Sequence, residues 1–311
     1  MTKFVTAFAP ATVANVGPGF DVFGFALEGL GDRVTASRSS RPGVHLVSVE
    51  GDGGALPRGR DNIVVLVASQ MLRAAKAGFG VDLSLYKGLP LSSGLGSSSA
   101  SAVAAAVAVN GLLGGRFDDL QALSFAREGE RLACGTAHAD NVAASFFGGF
   151  TLVRGEPFEV IPLSVPKSWH VAVVHPHIAL PTKKARAVIP KMISVADHTE
   201  TLAGAAALIA GISRQNISEV GRAIMGDRLA TPARIKLIPH YKEAAGAAIK
   251  AGAAGVSISG AGPSIFALTR GAKSAKIIAH AMAKVWRVRG IGSDKIVSRM
   301  GAAGAYITHR R

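Results

Sequence analysis

Residues 90–100 combine the small and hydroxyl-bearing side chains that binding a phosphate requires. Gly94 and Gly96 have no Cβ, so the backbone there can bend sharply and approach a ligand closely. Serines at 97–99 are favoured at helix starts, and the Ala/Val-rich run at 101–113 predicts a buried helix. A glycine turn that opens a helix presents unpaired N–H groups and the positive end of the helix dipole, which suits a phosphate. The alternative interpretation is a Gly/Ser linker or a plain helix cap.

The predicted phosphate loop consists of Pro90, Leu91, Ser92, Ser93, Gly94, Leu95, Gly96, Ser97, Ser98, Ser99 and Ala100. It is not a Walker A motif, because no Lys-Ser or Lys-Thr pair follows its glycines. It also departs from the dinucleotide-binding fingerprint, because Ser99 stands where the third glycine would be.

A second candidate site lies near the amino terminus, where polar residues interrupt an apolar segment. Asn15 and Asp21 flank the turn Gly-Pro-Gly at 17–19 and are surrounded by valines and phenylalanines. Buried polar groups need partners, and a ligand can supply them. An ordinary turn in a β-rich region is the alternative.

The elements around the loop give it the setting that phosphate binding requires. Residues 81–86 alternate like a strand and lead into the loop, so the loop stands at a strand-to-helix junction. Asn62 precedes a predicted helix at 63–75. Asp118 is a good N-cap for a helix that extends to about residue 133 and carries Glu130. Periodicity alone is equally consistent with Glu130 as a solvated surface acid.

The pattern along the whole chain predicts an α+β fold. The first half opens with a strand at 3–8, which Pro10 is expected to end, and continues with strands at 34–36 and 44–49. The second half alternates strands at 170–174, 256–259, 264–268 and 304–308 with helices at 199–212, 217–225, 241–251 and 272–284. This order predicts an α+β sandwich with a mostly antiparallel sheet. The candidate boundary at 156–166 divides the chain into domains 1–160 and 161–311.

Charge is distributed unevenly between these two domains. The net charge of the 311-residue chain is +15, of which residues 161–311 contribute +16 and residues 1–160 contribute −1. A basic half can bind nucleic acid or attract anionic substrates such as ATP. Nucleic acid is the less favoured partner, because the chain has no dense basic run with interleaved aromatic residues.

Cysteine, histidine and hydropathy exclude several classes of protein. The single cysteine, Cys134, excludes an intramolecular disulfide and a Cys-rich metal site, and it fits a reducing compartment. His175 and His177 are two residues apart, but no third clustered ligand accompanies them, which argues against a metal site. The apolar runs at 100–113 and 202–212 are shorter than the ~20 residues that span a bilayer, and no signal peptide is recognisable. We therefore expect a cytoplasmic protein that does not contact membranes.

The phosphate loop resembles that of the GHMP kinases, whose shared core is Gly-Leu-Gly-Ser-Ser. Residues 11–21, 90–100 and 257–264 are together similar, in order, to three segments of the homoserine kinase family, and residues 138–141 also match. The segment from Asn15 to Asp21 distinguishes this family within the superfamily. The resemblance implies an amino-terminal domain that binds ATP and has a fold like that of domain 2 of ribosomal protein S5. It also implies a ferredoxin-like carboxy-terminal domain that completes the substrate site, and a homodimer.

The resemblance also implies roles for individual residues. The loop would wrap the ATP phosphates, Ser98 and Glu130 would hold Mg²⁺, and one hydroxyl with one carboxylate suffices because Mg²⁺ keeps phosphate and water ligands. The remaining implied positions are Asn62 and Lys87 near the adenine, the glycine motif Gly260 and Gly262, and the L-homoserine ligands Asn15, Asp21, His138, Asn141, Thr182, Arg186 and Arg234. In that set Asp21 would accept from the ammonium, and the two arginines would hold the carboxylate in a bidentate fork.

The catalytic base is the open point of this interpretation. Mevalonate kinase-like relatives carry an aspartate base in the segment that matches 139–145, and a one-residue slip decides whether Asp140 or Asn141 takes that position. The resemblance favours Asn141 and transfer without a dedicated base. The alternatives are another GHMP kinase, of shikimate or mevalonate type, or a catalytically silent relative that binds a ligand or nucleic acid.

Overall fold

The computed structural model describes residues 2–135, 139–155 and 158–311. Within them the chain forms a seven-stranded and a four-stranded sheet. The strands are β1 (Phe4–Ala14), β2 (Phe23–Ser39), β3 (Val44–Glu50), β4 (Gly80–Tyr86), β5 (Phe150–Arg154), β6 (Glu159–Leu163), β7 (Trp169–Pro176), β8 (Gly255–Ile258), β9 (Ile265–Arg270), β10 (Ser293–Arg299) and β11 (Tyr306–Arg310). The helices are α1 (Ile63–Ala75), α2 (Ser97–Leu112), α3 (Asp119–Cys134), α4 (Ala139–Phe147), α5 (Thr182–Ala187), α6 (Val195–Ser213), α7 (Ile217–Ile224), α8 (Ala230–Arg234), α9 (Tyr241–Lys250) and α10 (Ala272–Arg287).

The larger sheet has the order β11-β1-β2-β4-β3, and β5 extends from β2 and pairs with β6. Its pairs are antiparallel except β3 with β4, which run parallel. Helix α2 crosses this sheet and is apolar nearly all round, with alanines and valines that are almost fully buried. A helix of that composition must be covered on every side, and α1, α3 and α4 pack around it. The helix predicted at 101–113 therefore forms, but it starts at the loop itself.

The smaller sheet has the order β10-β7-β9-β8 and is antiparallel throughout. Its inner residues Trp169, Phe266 and Leu268 belong to the same apolar core as the larger sheet. Glu28 on β2 also accepts from the Arg299 side chain on β10 at 2.6 Å, which ties one sheet to the other. The predicted α+β class with a mostly antiparallel second sheet is confirmed.

Several local expectations are wrong or incomplete. The strand expected at 34–36 is part of the longer β2, and β6 lies within the stretch expected to be a domain boundary. Pro10 does not end the first strand, because β1 shifts its register against β2 between Pro10 and Thr12 and so accommodates a residue without an N–H. Strand β10 is missing from the sequence prediction, because its half-exposed, largely polar sequence lacks the apolar run of a strand.

The domain division at 160/161 stays a prediction, and part of its candidate boundary, Glu156-Pro157, lies outside the described residues. Strand β6 crosses the 160/161 division and β11 follows it in sequence, and both pair within the larger sheet. Across the described ranges, none of the helices is both long enough and apolar enough to cross a membrane.

Candidate active site

The phosphate loop folds as a tight turn whose backbone leads directly into α2. Ser92, Gly94 and Gly96 have φ angles of 54°, 76° and 67°, in the left-handed region that favours glycine. Gly96 is the N-cap of α2 and makes no side-chain capping bond. The first N–H groups of α2 therefore lack the side-chain acceptor that usually caps a helix, which leaves them suited to an anion.

Both glycines are also required by close packing. A Cβ on Gly96 would collide with the Thr12 hydroxyl, and a Cβ on Gly94 would collide with the carbonyl oxygen of Ser259. The plain-linker interpretation of this stretch is thus wrong, because a linker would not be held at such contacts.

The predicted glycine motif around Gly260 and Gly262 lies against the phosphate loop. The Ser259 hydroxyl donates to the Gly94 carbonyl at 2.8 Å, and the Ser264 N–H donates to the Ser93 carbonyl at 3.2 Å. The Gly260 N–H donates to the carbonyl at the end of β1, on Ala14, at 3.0 Å. The motif thus joins the smaller sheet to the loop and to the amino-terminal signature.

Lys87 lies beneath the loop, with its side chain almost fully buried. Its ammonium donates to the Asp32 carboxylate, to the Ser97 carbonyl at 2.8 Å and to the Ser101 hydroxyl at 2.9 Å. These three bonds use all the donors of an ammonium group. The side chain therefore fixes the start of α2 from below, and its predicted position near an adenine stays a prediction.

Asn62 is buried and caps α1. Its Oδ1 accepts from the Val64 N–H at 3.1 Å, and its Nδ2 donates to the Pro57 carbonyl at 2.7 Å. Through these bonds the Asn62 amide holds the loop at 51–61 against the start of α1. Its predicted contact with adenine stays a prediction.

Glu130 is fully buried, so its alternative interpretation as a solvated acid is wrong. Its Oε1 accepts from the Ser99 hydroxyl at 2.9 Å, while Oε2 has no hydrogen-bond partner among the described residues. The Ser97 hydroxyl nearby on α2 is also unpartnered among them, and Ser98 is half-buried. Buried carboxylate oxygens are rarely left unpaired, and a hard cation with oxygen ligands is a suitable partner. The chemistry of this donor set fits Mg²⁺, although the serine bonded directly to Glu130 is Ser99 and not Ser98.

Asn15 and Asp21 form the charged end of the second site. Both have left-handed φ angles, 66° and 58°, and the Asn15 Oδ1 accepts from the Asp21 N–H at 3.0 Å. The Arg186 guanidinium donates two hydrogen bonds to the Asp21 carboxylate, at 2.6 and 3.3 Å. The structure thus brings together three residues that are up to 171 positions apart in the printed sequence.

Phe20 is a candidate site residue that the sequence did not single out. Its ring contacts two guanidinium groups, with Arg186 Cζ at 5.4 Å and Arg234 Cζ at 5.2 Å from the ring centroid. Arg234 is buried and donates to the Ala185 carbonyl at 3.2 Å and to the Gly260 carbonyl at 2.8 Å. Burial lowers the pKa of the Arg234 guanidinium below its usual value, with attraction to Asp21 opposing the shift. The signal in the sequence was the aromatic residue directly before Asp21.

Asp140 and Asn141 lie at the start of α4, and their side chains make different contacts. The Asn141 Oδ1 accepts from the Thr12 hydroxyl at 2.7 Å and lies close to where a Gly96 Cβ would be. Asp140 is buried, and its Oδ1 accepts from the Asn141 N–H at 2.9 Å. Asn141 therefore lies against the phosphate loop.

The remaining predicted residues divide into three cases. Thr182 is exposed at the first position of α5. His138 lies outside the described residues. His175 is buried and hydrogen-bonded to the Ser264 hydroxyl at 3.2 Å, and the described ranges contain no group of three residues suited to hold a metal.

Comparison with known proteins identifies the family of the chain. The family of GHMP kinases N terminal domains matches residues 62–149, and the family of GHMP kinases C terminal domains matches residues 208–288. The homoserine kinase of Chlorobaculum tepidum is 42% identical over 320 residues, covering 98% of each chain. That of Pyrococcus furiosus is 38% identical over 295 residues, covering 94% of this chain and 97% of the relative.

Solved structures extend the comparison. The crystal structure of homoserine kinase from Cytophaga hutchinsonii superposes with a TM-score of 0.95 at 43% identity, covering 99% of this chain and 98% of that chain. The L. major mevalonate kinase shares the fold, with a TM-score of 0.71 at 17% identity, covering 97% of this chain and 98% of that chain. The near full-length relatives, both family domains and the loop and signature described above assign this chain to the homoserine kinase family of the GHMP kinases.

Proposed function

We propose that the protein transfers the γ-phosphate of ATP to the side-chain hydroxyl of L-homoserine, which yields O-phospho-L-homoserine in threonine biosynthesis. One observation carries the proposal: Arg234 contacts both the ring of Phe20 and the carbonyl of Gly260. The turn at Gly260 packs on Gly94 of the phosphate loop. The turn at Gly260 therefore joins the charged residues suited to a zwitterion to the loop suited to phosphates.

The charged residues match the groups of an amino-acid alcohol. Asp21 would accept from the ammonium, and Arg186 with Arg234 would hold the carboxylate, since a guanidinium binds a carboxylate in a bidentate fork. Asn15, His138, Asn141 and Thr182 would complete the pocket. Such an anchor fixes the hydroxyl end of the substrate relative to the loop, and positioning of this kind supplies much of the rate in phosphoryl transfer.

The loop at residues 90–100 would hold the ATP phosphates through its N–H groups, and Asn62 and Lys87 would lie toward the adenine. Ser98 and Glu130 would hold Mg²⁺, which supplies neutralisation of the developing phosphate charge when it is bound. Ser99 orients the Glu130 carboxylate through Oε1, so that Oε2 remains for the cation.

We further propose that no dedicated base removes the hydroxyl proton. Phosphoryl transfer passes through a loose transition state, so the proton can leave late. Asn141 cannot act as a base at neutral pH, and it is the residue in contact with Thr12 beside the loop. The role of Asp140 is to hold the first turn of α4 through the Asn141 N–H.

The deciding experiment is a coupled assay of ADP release with ATP, Mg²⁺ and a panel of L-homoserine, shikimate and mevalonate. We expect turnover with homoserine alone and a phosphomonoester product on the side-chain oxygen, identified by ³¹P NMR. Faster turnover of shikimate or mevalonate would support another GHMP kinase. No turnover of any alcohol by the folded protein would support a silent binding protein.

We also propose that the protein is a homodimer, lies in the cytoplasm and does not bind nucleic acid. Light scattering of the purified chain measures the mass, and fractionation measures the location. A salt-sensitive gel shift with duplex DNA or RNA would contradict the last part.

A further inference from the structure

A second concave surface lies between the edge strand β3 and helix α1. Its volume is about 1110 Å³, slightly above the roughly 300–1,000 Å³ that small-molecule sites occupy. None of the loop residues 90–100 lines it, and neither do Asn62 or Lys87. We call this surface the β3–α1 groove; it is separate from the candidate active site.

The β3–α1 groove collects positive charge without acidic residues. Its lining includes Arg41, Arg58, Arg60, Arg73 and Lys76, and no Asp or Glu. This concentration is not inherited from the basic half of the chain, because the first 160 residues carry a net charge of −1. Cations gathered in one concavity repel each other, and an anion between them relieves that repulsion.

Two of these cations already have partners outside the groove. Arg41 pairs with Asp82 at 2.8 Å, and Arg58 pairs with Asp52 at 3.0 Å. The other three make no ion pair within residues 2–135, 139–155 and 158–311. Three cations in one concavity that lack a carboxylate partner in those ranges are the positions at which an anionic ligand would bind.

Two of the unpaired cations lie together at one end of the groove. Arg73 and Lys76 lie at the carboxyl end of α1, and Lys76 is its C-cap. A phosphate group can accept from Arg73, since Arg and phosphate form the strongest of such bonds, and Lys76 adds a second positive charge at the same end.

The floor of the groove is apolar. Val44 and Leu46 of β3, Leu66 and Leu72 of α1, and Phe79 line it, and all are buried or half-buried. Inorganic phosphate would leave this floor exposed to water. A flat apolar ring would cover it, in the manner of small-molecule sites that combine apolar walls with a few polar groups.

We propose that the β3–α1 groove binds an organic phosphate, with its ring on the apolar floor and its phosphate at Arg73, beside Lys76. The claim does not rest on the proposed kinase activity. It assigns a ligand site to residues of the first domain that the phosphate loop does not use.

Pyridoxal 5′-phosphate is a suitable probe, because it joins an aromatic ring and a phosphate to an aldehyde that condenses with a lysine amine and releases water. Reduction with borohydride fixes the bond, and peptide mapping of the full chain reads the site. Lys273 on α10 is exposed like Lys76 and serves as the internal control. We expect Lys76 to be labelled about tenfold faster than Lys273, with AMP protecting Lys76 only.

Matched variants separate this site from the alternatives. Arg73→Gln should reduce labelling of Lys76 to the level of Lys273, while the control Arg287→Gln on α10 should leave it unchanged. Gly96→Ala, which disrupts the phosphate loop, should also leave it unchanged. Equal labelling of both lysines, no protection by AMP, or loss of labelling in Gly96→Ala would each overturn the proposal, the last by showing that the groove belongs to the ATP site.

Discussion

The Nη2 atom of Arg186 lies 2.6 Å from Oδ2 of Asp21, and the side chains are 35% and 39% exposed. The two charges expected to hold the carboxylate and the ammonium of the substrate therefore neutralise each other in the free site. A zwitterion can exchange one intramolecular ion pair for two new ones. A ligand with only one of its charges would leave Arg186 or Asp21 without a partner.

Asp21→Asn should raise the KM for homoserine by about 10- to 100-fold, since each factor of ten corresponds to about 1.4 kcal/mol of lost interaction with the ammonium. The KM for ATP should stay the same, because the phosphate loop is untouched. Steady-state kinetics with each substrate varied in turn measures both constants. Equal losses for ATP and homoserine would contradict the assignment of Asp21 to the substrate ammonium.

Phe20→Leu should raise the KM for homoserine about fivefold with little change in kcat, because the ring contacts two guanidinium groups and a cation–π contact is worth about 0.5–2 kcal/mol. Phe20→Tyr keeps the ring and should retain the wild-type KM. This pair distinguishes positioning of Arg186 and Arg234 from simple packing. A Leu variant with unchanged KM would show that the ring has no part in substrate binding.

Glu130→Gln should raise the Mg²⁺ concentration at half-maximal activity by about tenfold or more, because it replaces a charged oxygen ligand of a hard cation with a neutral amide. Ser99→Ala is the matched control, since it removes the donor to Oε1 and keeps the carboxylate. Its effect on the Mg²⁺ titration should be the smaller one. If the serine variant shifts the titration as far as the glutamine variant, Oε2 is not the metal ligand.

Asp140→Asn should keep kcat within about tenfold of the wild type, because removal of a true general base costs about 10²- to 10⁴-fold. Asn141→Ala should lower kcat more, since it deletes the side chain that contacts Thr12 beside the loop. Single-turnover kinetics at saturating substrate compares the two chemical steps. A loss of several orders of magnitude in Asp140→Asn, with KM and folding intact, would identify Asp140 as the base.

Glu28→Gln should lower the free energy of unfolding at pH 7 by about 1 kcal/mol, after allowance for partial exposure of the pair. Partial burial alone would raise the pKa of the Glu28 carboxyl, but the hydrogen bonds and charge of Arg299 outweigh it, and the pKa is lowered. The stabilisation is therefore complete above the unfolded-state pKa of about 4.5 and is lost as the pH falls through the lower folded-state pKa.

Urea titrations of the wild type and Glu28→Gln at pH 7 and at pH 3 measure this difference. The control is Glu159→Gln, which removes an exposed pair with Arg154 inside one sheet, at 2.7 Å. It should change stability less at either pH. A difference between Glu28→Gln and the wild type that grows in acid would contradict a folded-state pKa of Glu28 below that of the unfolded chain.

The sequence indicated the parts of this molecule whose signals are local. The loop at 90–100 and helix α1 were predictable, because glycine geometry, N-capping by Asn62 and apolar periodicity act within a few residues. The family resemblance predicted that Asp21 and Arg186 bind the same substrate, but not that they pair with each other. No periodicity reports that the two side chains contact each other directly.

The burial of Glu130 and the position of Phe20 could not be predicted for a related reason. Helix α3 has an ordinary amphipathic pattern, and only its packing against α1 and α2 shows that Glu130 faces inward. Likewise Phe20 resembles any apolar residue of the first segment until α5 and α8 bring two arginines against its ring. Tertiary contacts between distant segments decide both cases.

The hydrogen bonds from Ser259 and Ser264 to the backbone of the phosphate loop make ATP binding and cohesion of the two sheets a single thermodynamic system. Any free energy that a nucleotide contributes by ordering Gly94 also favours the docked position of the smaller sheet. Nucleotide should therefore raise the melting temperature of the whole chain in one cooperative transition. Conversely, the stability of the smaller sheet reports on ligand binding at a loop that it contacts through Ser259 and Ser264.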